Sequence, residues 1–273
     1  MKIVSIINLK GGVAKTITSA NMAHILATVH GKRVLLLDND KQGNCSKFFR
    51  RHSYEHPSCA DVLTERNYDI RKAIQKTDYE KLDIISANML LLTADRKLFL
   101  EVSRQQQTIL RKALQQVETE YDFCIIDNAP DINISVINAL VAAQEVIVPI
   151  KIDQFAFDGM EQLLEQFEDA REFNPNLNFL GCLVTSYNNN EVNNQGKEYL
   201  TKYPMFQTHI RRTEKVDEST FACKPIMEYS RWCGASKDYL SFVAEYLERV
   251  QLGHEKGDVS NLDTKVGGGA SGR

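Results

Sequence analysis

Apolar residues along this chain gather in short runs, separated by longer stretches with helical spacing. Residues 2–7, 33–37, 82–86, 122–126, 145–150 and 179–185 are too short for helices and are mostly followed by turn formers, so they read as buried strands. Between them, residues 19–29 carry Ala20, Ala23, Ile25, Leu26 and Val29 as the apolar positions of a helix, and residues 98–117, 159–173 and 236–250 show the clearest helical patterns. Strands alternating with helices imply an α/β fold, a mostly parallel twisted sheet with helices on both faces. Such sheets bind ligands outside the carboxyl ends of their strands, so the residues just past each strand carry the interest.

The first strand runs into Asn8-Leu9-Lys10-Gly11-Gly12-Val13-Ala14-Lys15-Thr16, and a helix follows. A strand that turns straight into a helix points the helix's first N–H groups at the turn, where their partial positive charge favours an anion. Gly11 and Gly12 let the backbone approach that anion, Lys15 can reach terminal phosphates, and the Thr16 hydroxyl can hold magnesium. The strict pattern G-x-x-x-x-G-K-[ST] fails, because Leu9 and Ala14 occupy its two glycine positions. Two aspartates, Asp38 and Asp40, follow the second strand, and Asp127 ends the strand at 122–126. Each could serve a nucleotide and its metal, or simply start a turn and cap a helix.

Composition narrows the class. The chain has 273 residues with 43% hydrophobic and 25% charged content, enough for one large core. It has no internal repeat, and no apolar run is long enough to span a bilayer. Lys2 leads at once into a strand rather than an apolar segment with a cleavage site, so a cytoplasmic protein is expected. The six cysteines, Cys45, Cys59, Cys124, Cys182, Cys223 and Cys233, form no C-x-x-C pair and suit a reduced compartment. A net charge of −3 neither demands nor excludes nucleic acid, because binding depends on a local patch.

Lys10-Gly11-Gly12-Val13-Ala14-Lys15-Thr16 resembles the deviant Walker A motif of the ParA/MinD family of P-loop ATPases, with Ala14 and Ile17 where the family commonly has glycine and threonine. Asp38-Asn39-Asp40-Lys41-Gln42-Gly43-Asn44 is similar to the family's D-x-D-P-Q-G-N, with Lys41 in place of the proline. Residues 121–127 resemble a Walker B strand, and Asn128-Ala129-Pro130 the switch turn after it. Farther on, residues 146–150 and 155–160 look like the family's V-I-V-P strand and A-L-E-G-L helix start. Residues 181–185 resemble the strand before the base-binding region, 209–212 the adenine-side loop, and 224–226 with 234–239 the segment before the last helix. The likeness covers residues 1–250 as a single ATPase domain, with 251–273 left as a flexible polar tail.

That resemblance implies a deviant Walker A (SIMIBI-type) P-loop fold, with ATP and Mg2+ as cofactors. The catalytic residues it implies are Lys15, Asp38 acting on the attacking water, and Lys10 as the signature lysine that reaches the partner's phosphates in an ATP-sandwich homodimer. Nucleotide contacts carry over to Gly11, Gly12, Val13, Ala14, Lys15, Thr16, Ile17, Thr185, Ile210 and Arg211. Magnesium falls to Thr16, Asp40 and Asp127, partly through water. The implied activity is that of a short, Soj-like partition ATPase, which binds DNA without sequence preference, associates with the nucleoid when ATP-bound, and hydrolyses ATP on stimulation by a ParB-like centromere-binding protein. With no helix-turn-helix ahead of the first strand, a form that also represses transcription is not expected. The alternative is a MinD-type positioning ATPase acting on another cargo or surface. Its membrane grip needs an amphipathic terminal helix, and the glycines and charges after Gln251 offer no apolar face, so no membrane partner is expected.

Three further groupings compete with plainer readings. Lys197, Lys202, Arg211, Arg212 and Lys215, with Lys224, Arg231 and Lys237, could form a DNA-facing surface, although interspersed acids also suit a solvated face. Cys45, His52, His56 and Cys59 have zinc-ligand chemistry, but their segment begins inside the second nucleotide motif and holds Pro57, which argues against a metal. An iron–sulfur relative would need bridging cysteines, and Cys124 lies inside a strand with no matching partner.

Overall fold

The computed structural model describes residues 1–153 and 158–263. Among them are eight strands: β1 Lys2–Ile6, β2 Val34–Asn39, β3 Ile74–Lys76, β4 Leu82–Ile85, β5 Phe123–Asn128, β6 Glu145–Lys151, β7 Asn178–Tyr187 and β8 Met205–Arg211. The helices are α1 Lys15–Thr28, α2 Asn44–Phe48, α3 Cys59–Thr64, α4 Leu90–Leu100, α5 Ile109–Gln115, α6 Ile134–Ala142, α7 Asp158–Arg171, α8 Glu191–Leu200, α9 Glu214–Phe221, α10 Ile226–Tyr229 and α11 Gly234–Asp263.

The strands form one sheet in the order β3-β4-β2-β5-β1-β6-β7-β8. Every neighbouring pair is parallel except β3 with β4. Side chains alternate across the sheet as the strand period requires. Leu35, Leu37, Cys124 and Ile126 join the core under α3 to α7, while Val34, Leu36, Phe123 and Ile125 join the core under α1, α2, α10 and α11. Both faces are therefore covered, which is why these strands read as continuous apolar runs.

Register fixes the site. Ile6 lies opposite Asp127, and Asp38 lies opposite Asp127 on the next strand. The carboxyl ends of β1, β2 and β5 thus stand side by side, with two aspartates at the same level.

Several expected boundaries change. The helix expected over 98–117 is two helices, α4 and α5, parted by an irregular stretch and a short 3-10 turn at Gln106–Thr108. Glu101 leaves helical geometry at ψ 79°, and Arg104 donates to the carbonyls of Leu63 and Thr64, the last two residues of α3. A tertiary contact overrides local propensity there. Val29, expected on an apolar helix face, is the C-cap of α1 and half exposed. The last helix continues past 250 to Asp263, and residues 264–273 of the expected tail lie outside the described residues. So do residues 154–157, which include half of the segment matched to the A-L-E-G-L pattern.

Candidate active site

The turn between β1 and α1 has the shape a phosphate loop needs. Gly12 and Ala14 both adopt left-handed backbone, with φ 72° and 64°, and Ala14 is the N-cap of α1. For alanine that conformation costs about 1 kcal/mol, which accounts physically for glycine being common in the family at this position. A Cβ added at Gly11 or Gly12 would meet no atom within 4 Å. It would project into a cavity of about 760 Å³ that both glycines line with Ala14, Lys15, Thr16 and Ile17. An anion seated there would meet bare backbone.

Lys15 is buried, and its ammonium donates to the Lys10 carbonyl at 3.0 Å. Burial lowers its pKa, while the charges of Asp127, Asp40 and Asp131 pull it back up. Lys10 pairs with Asp153, just past β6, and its own N–H donates to Asn8 at 2.9 Å. Val13 is buried, and its carbonyl accepts from the Thr185 hydroxyl at 3.1 Å, so β7 props the loop from behind.

Asp38 and Asp127 are both fully buried. Asp38 accepts from the Ser46 N–H at 2.7 Å, the Ser46 hydroxyl at 2.6 Å and the Asp40 N–H at 3.2 Å, which makes it a cap for the first turn of α2. Burial raises its pKa against those three bonds. In Asp127, Oδ1 accepts from the Ser19 hydroxyl at 3.0 Å, but Oδ2 has no hydrogen-bond partner. Burial first, then the charge of Asp38, raises its pKa, with the nearby hydroxyls of Thr16 and Ser19 acting against the shift. An unpaired buried carboxylate oxygen beside a second carboxylate fits a cation or its bound water. Asp40, nearly buried, lines the cavity with Lys41, Gln42 and Asn44, and its Oδ1 accepts from the Gln42 N–H at 2.9 Å. Gly43 makes that turn possible, since at φ 62° a Cβ would lie 2.6 Å from the Ala87 carbonyl oxygen.

The opposite wall differs from the sequence expectation. Ile210 packs into the core, and Arg211 is held by Asp238 through bonds of 2.7 and 2.8 Å, so neither lines the cavity. The stretch expected as a loop at 209–212 is largely β8, an edge strand that turns Ile210 into the core and leaves Arg211 exposed beside Asp238. The cavity is lined there by Ser186, Val216, Asp217, Thr220 and Cys223, which sequence reasoning missed. Ser186 lies at the carboxyl end of β7 and the others on or just past α9, so their one available signal was position near the ends of the last two strands.

The basic residues proposed for DNA fall on separate elements. Lys197 lies on α8, 6.0 Å from the Tyr187 ring, and Lys202 donates to the Tyr199 hydroxyl at 2.8 Å. Lys215 pairs with Glu218 at 2.7 Å, and Arg212 is exposed just past β8. Cys45 and Cys59 belong to cores on opposite faces of the sheet, so the grouping with His52 and His56 does not converge.

A parallel sheet ending in a glycine-rich turn, a buried lysine at the helix start and two buried strand-end aspartates define a P-loop nucleotide-binding protein. A family model described as an AAA domain matches residues 1–179. Sporulation initiation inhibitor protein Soj of Bacillus subtilis is 34% identical over 250 residues, spanning 89% of this chain and 97% of that protein. Chromosome partitioning protein ParA of Caulobacter vibrioides is 32% identical over 257 residues, spanning 91% and 95%. The crystal structure of cobyrinic acid a,c-diamide synthase from Mycobacterium smegmatis, with bound ATP analog and magnesium, superposes with a TM-score of 0.82 at 28% identity, covering 93% of this chain and 96% of that one. The chain belongs to the ParA/MinD family of deviant Walker A P-loop ATPases.

Proposed function

We propose that this protein is a partition ATPase that binds ATP with magnesium, dimerises around it, binds duplex DNA without sequence preference and hydrolyses ATP when a ParB-like centromere-binding protein engages it. The observation that carries the reading is the register pairing of Asp38 with Asp127, because the loops that follow them line the same cavity as the glycine turn. The fit of the nucleotide is supported by the open space in front of Gly11 and Gly12, and that of the metal by the unpaired Asp127 oxygen. In this reading Lys15 and the α1 N-terminus hold phosphates, Thr16, Asp40 and Asp127 hold magnesium directly or through water, and Asp38 orients the attacking water. Bound magnesium would supply charge neutralisation for the transferring phosphate. Lys10 would leave Asp153 to complete the partner's site.

ATP turnover measured with and without duplex DNA and a centromere-binding partner tests the function. Light scattering with ATP against ADP tests the switch: Lys10→Ala should bind nucleotide without turning it over, and Asp38→Ala should hold ATP in a long-lived dimer. An oligomer that ignores ATP in both variants contradicts the switch. For DNA, the triple change of Lys197, Lys202 and Lys215 to glutamate should weaken a binding that itself falls steeply with salt. Absence of DNA binding by the ATP-bound protein at low salt would favour a cargo other than DNA.

A further inference from the structure

Lys41 stands where the family usually has proline, and its side chain has a definite place. It follows Asp40 past the end of β2, lines the cavity beside Gly12, Lys15 and Thr16, and rests 2.7 Å from Asp131, which lines the same cavity from the loop after β5. The lysine side chain is 26% exposed and the aspartate 43%. An ion pair that open to water contributes about 1 kcal/mol or less. It can therefore be exchanged for a stronger anion at little cost. The Lys41 ammonium carries a full positive charge at neutral pH, as lysine ordinarily does.

Asp131 is also prepared for the exchange. Lys41 takes its Oδ2, while its Oδ1 accepts from the Asn133 side chain at 3.0 Å. Departure of the lysine leaves that second bond in place and the freed oxygen within reach of solvent. The long, flexible stem of lysine suits such a move, whereas proline carries no charge to the site. Taken with the nucleotide reading above, on which it rests, the geometry points to Lys41 as a nucleotide-discriminating residue that recognises the terminal phosphate of a nucleoside triphosphate, with Asp131 as the carboxylate it exchanges.

Calorimetry on the full chain with magnesium, using ADP and a non-hydrolysable ATP analogue, tests this. Lys41→Met should reduce the preference for the ATP analogue over ADP by about tenfold, with ADP affinity unchanged. Asp131→Asn should tighten the ATP analogue by about threefold, because the competing carboxylate is gone. The double variant should behave as Lys41→Met alone, and Lys41→Arg should keep the preference. A purely structural role would move both nucleotides together, so equal shifts, or none, overturn the assignment. Loss of both nucleotides in Lys15→Ala alongside an inert Lys41→Met would sink this inference and leave the nucleotide site standing. Failure of the unaltered protein to bind either nucleotide would sink both.

Discussion

The wall of the cavity that holds the glycine turn buries its chemistry, whereas the wall formed by α9 leaves it in solvent. On the first, Lys15, Asp38 and Asp127 sit at the ends of central parallel strands or the helix beside them, and their pKa values are displaced by burial. On the second, α9 buries Ser219 alone, and Asp217 and Thr220 are exposed at the cavity. The strand-end wall is held in place by the packed core behind it, and it accepts left-handed backbone and crowded carboxylates at a cost in stability. The α9 wall is tied down by fewer groups, chiefly Val216 against the core and the Tyr229 hydroxyl on Glu218. Under the proposed function, phosphate would meet the rigid wall and the rest of the nucleotide the exposed one.

The largest effect on this contrast is expected from Gly43→Ala. The new Cβ would collide with the Ala87 carbonyl and the His52 ring at an unfavourable positive φ, lowering stability by about 4 kcal/mol in denaturant titration. A loss under about 1 kcal/mol would mean that the strand-end wall is softer than its packing implies.

His24 reports on the packing behind the glycine-turn wall, where α1 meets Tyr79. It lies on α1 with its ring 4.7 Å from that of Tyr79, whose hydroxyl bonds to Glu228 on α10. Burial lowers its pKa to about 4, against the attraction of Glu228. Because the unfolded chain takes up a proton near pH 6.5 and the folded one only near pH 4, the stabilisation is whole above 6.5 and is lost as the pH falls between those values. The loss amounts to something on the order of 3 kcal/mol, and His24→Gln should flatten the profile over that window. An unchanged profile in that variant would place the acid sensitivity elsewhere.

Smaller effects separate the walls directly. Asp217→Ala should weaken ATP by about tenfold at most while leaving the melting temperature near that of the parent, since the side chain is exposed. Ala14→Gly should stabilise the protein by about 1 kcal/mol by relieving the strained turn. Destabilisation by that change would show that Ala14 is not strained.

The same contrast governs what could be read from sequence. Lys10–Thr16, Asp38, Asp40 and Asp127 stand out in the sequence as candidates because they fall in short contiguous segments at strand ends, each with a buried apolar strand to mark it. The far wall carried no such mark. The α9 sequence Glu-Lys-Val-Asp-Glu-Ser-Thr-Phe has no apolar stripe, and β8 mixes Gln207, Thr208 and His209 with its apolar residues as an edge strand does. Nothing in sequence announces the left-handed backbone at Ser186 and Cys223, and the break between α4 and α5 depends on Arg104 reaching across to the end of α3. Arg211 was drawn to the site by its position in the chain, but Asp238, far along the sequence, holds it elsewhere.

The most direct test of the account is calorimetric titration of ATP with magnesium into the unaltered protein and into Lys15→Ala. The buried ammonium faces Asp127, Asp40 and Asp131 around a turn open to an anion, so the parent should bind and the variant should lose at least about 100-fold in affinity while remaining folded. Equal affinity in the two proteins would contradict the assignment of this cavity as the nucleotide site.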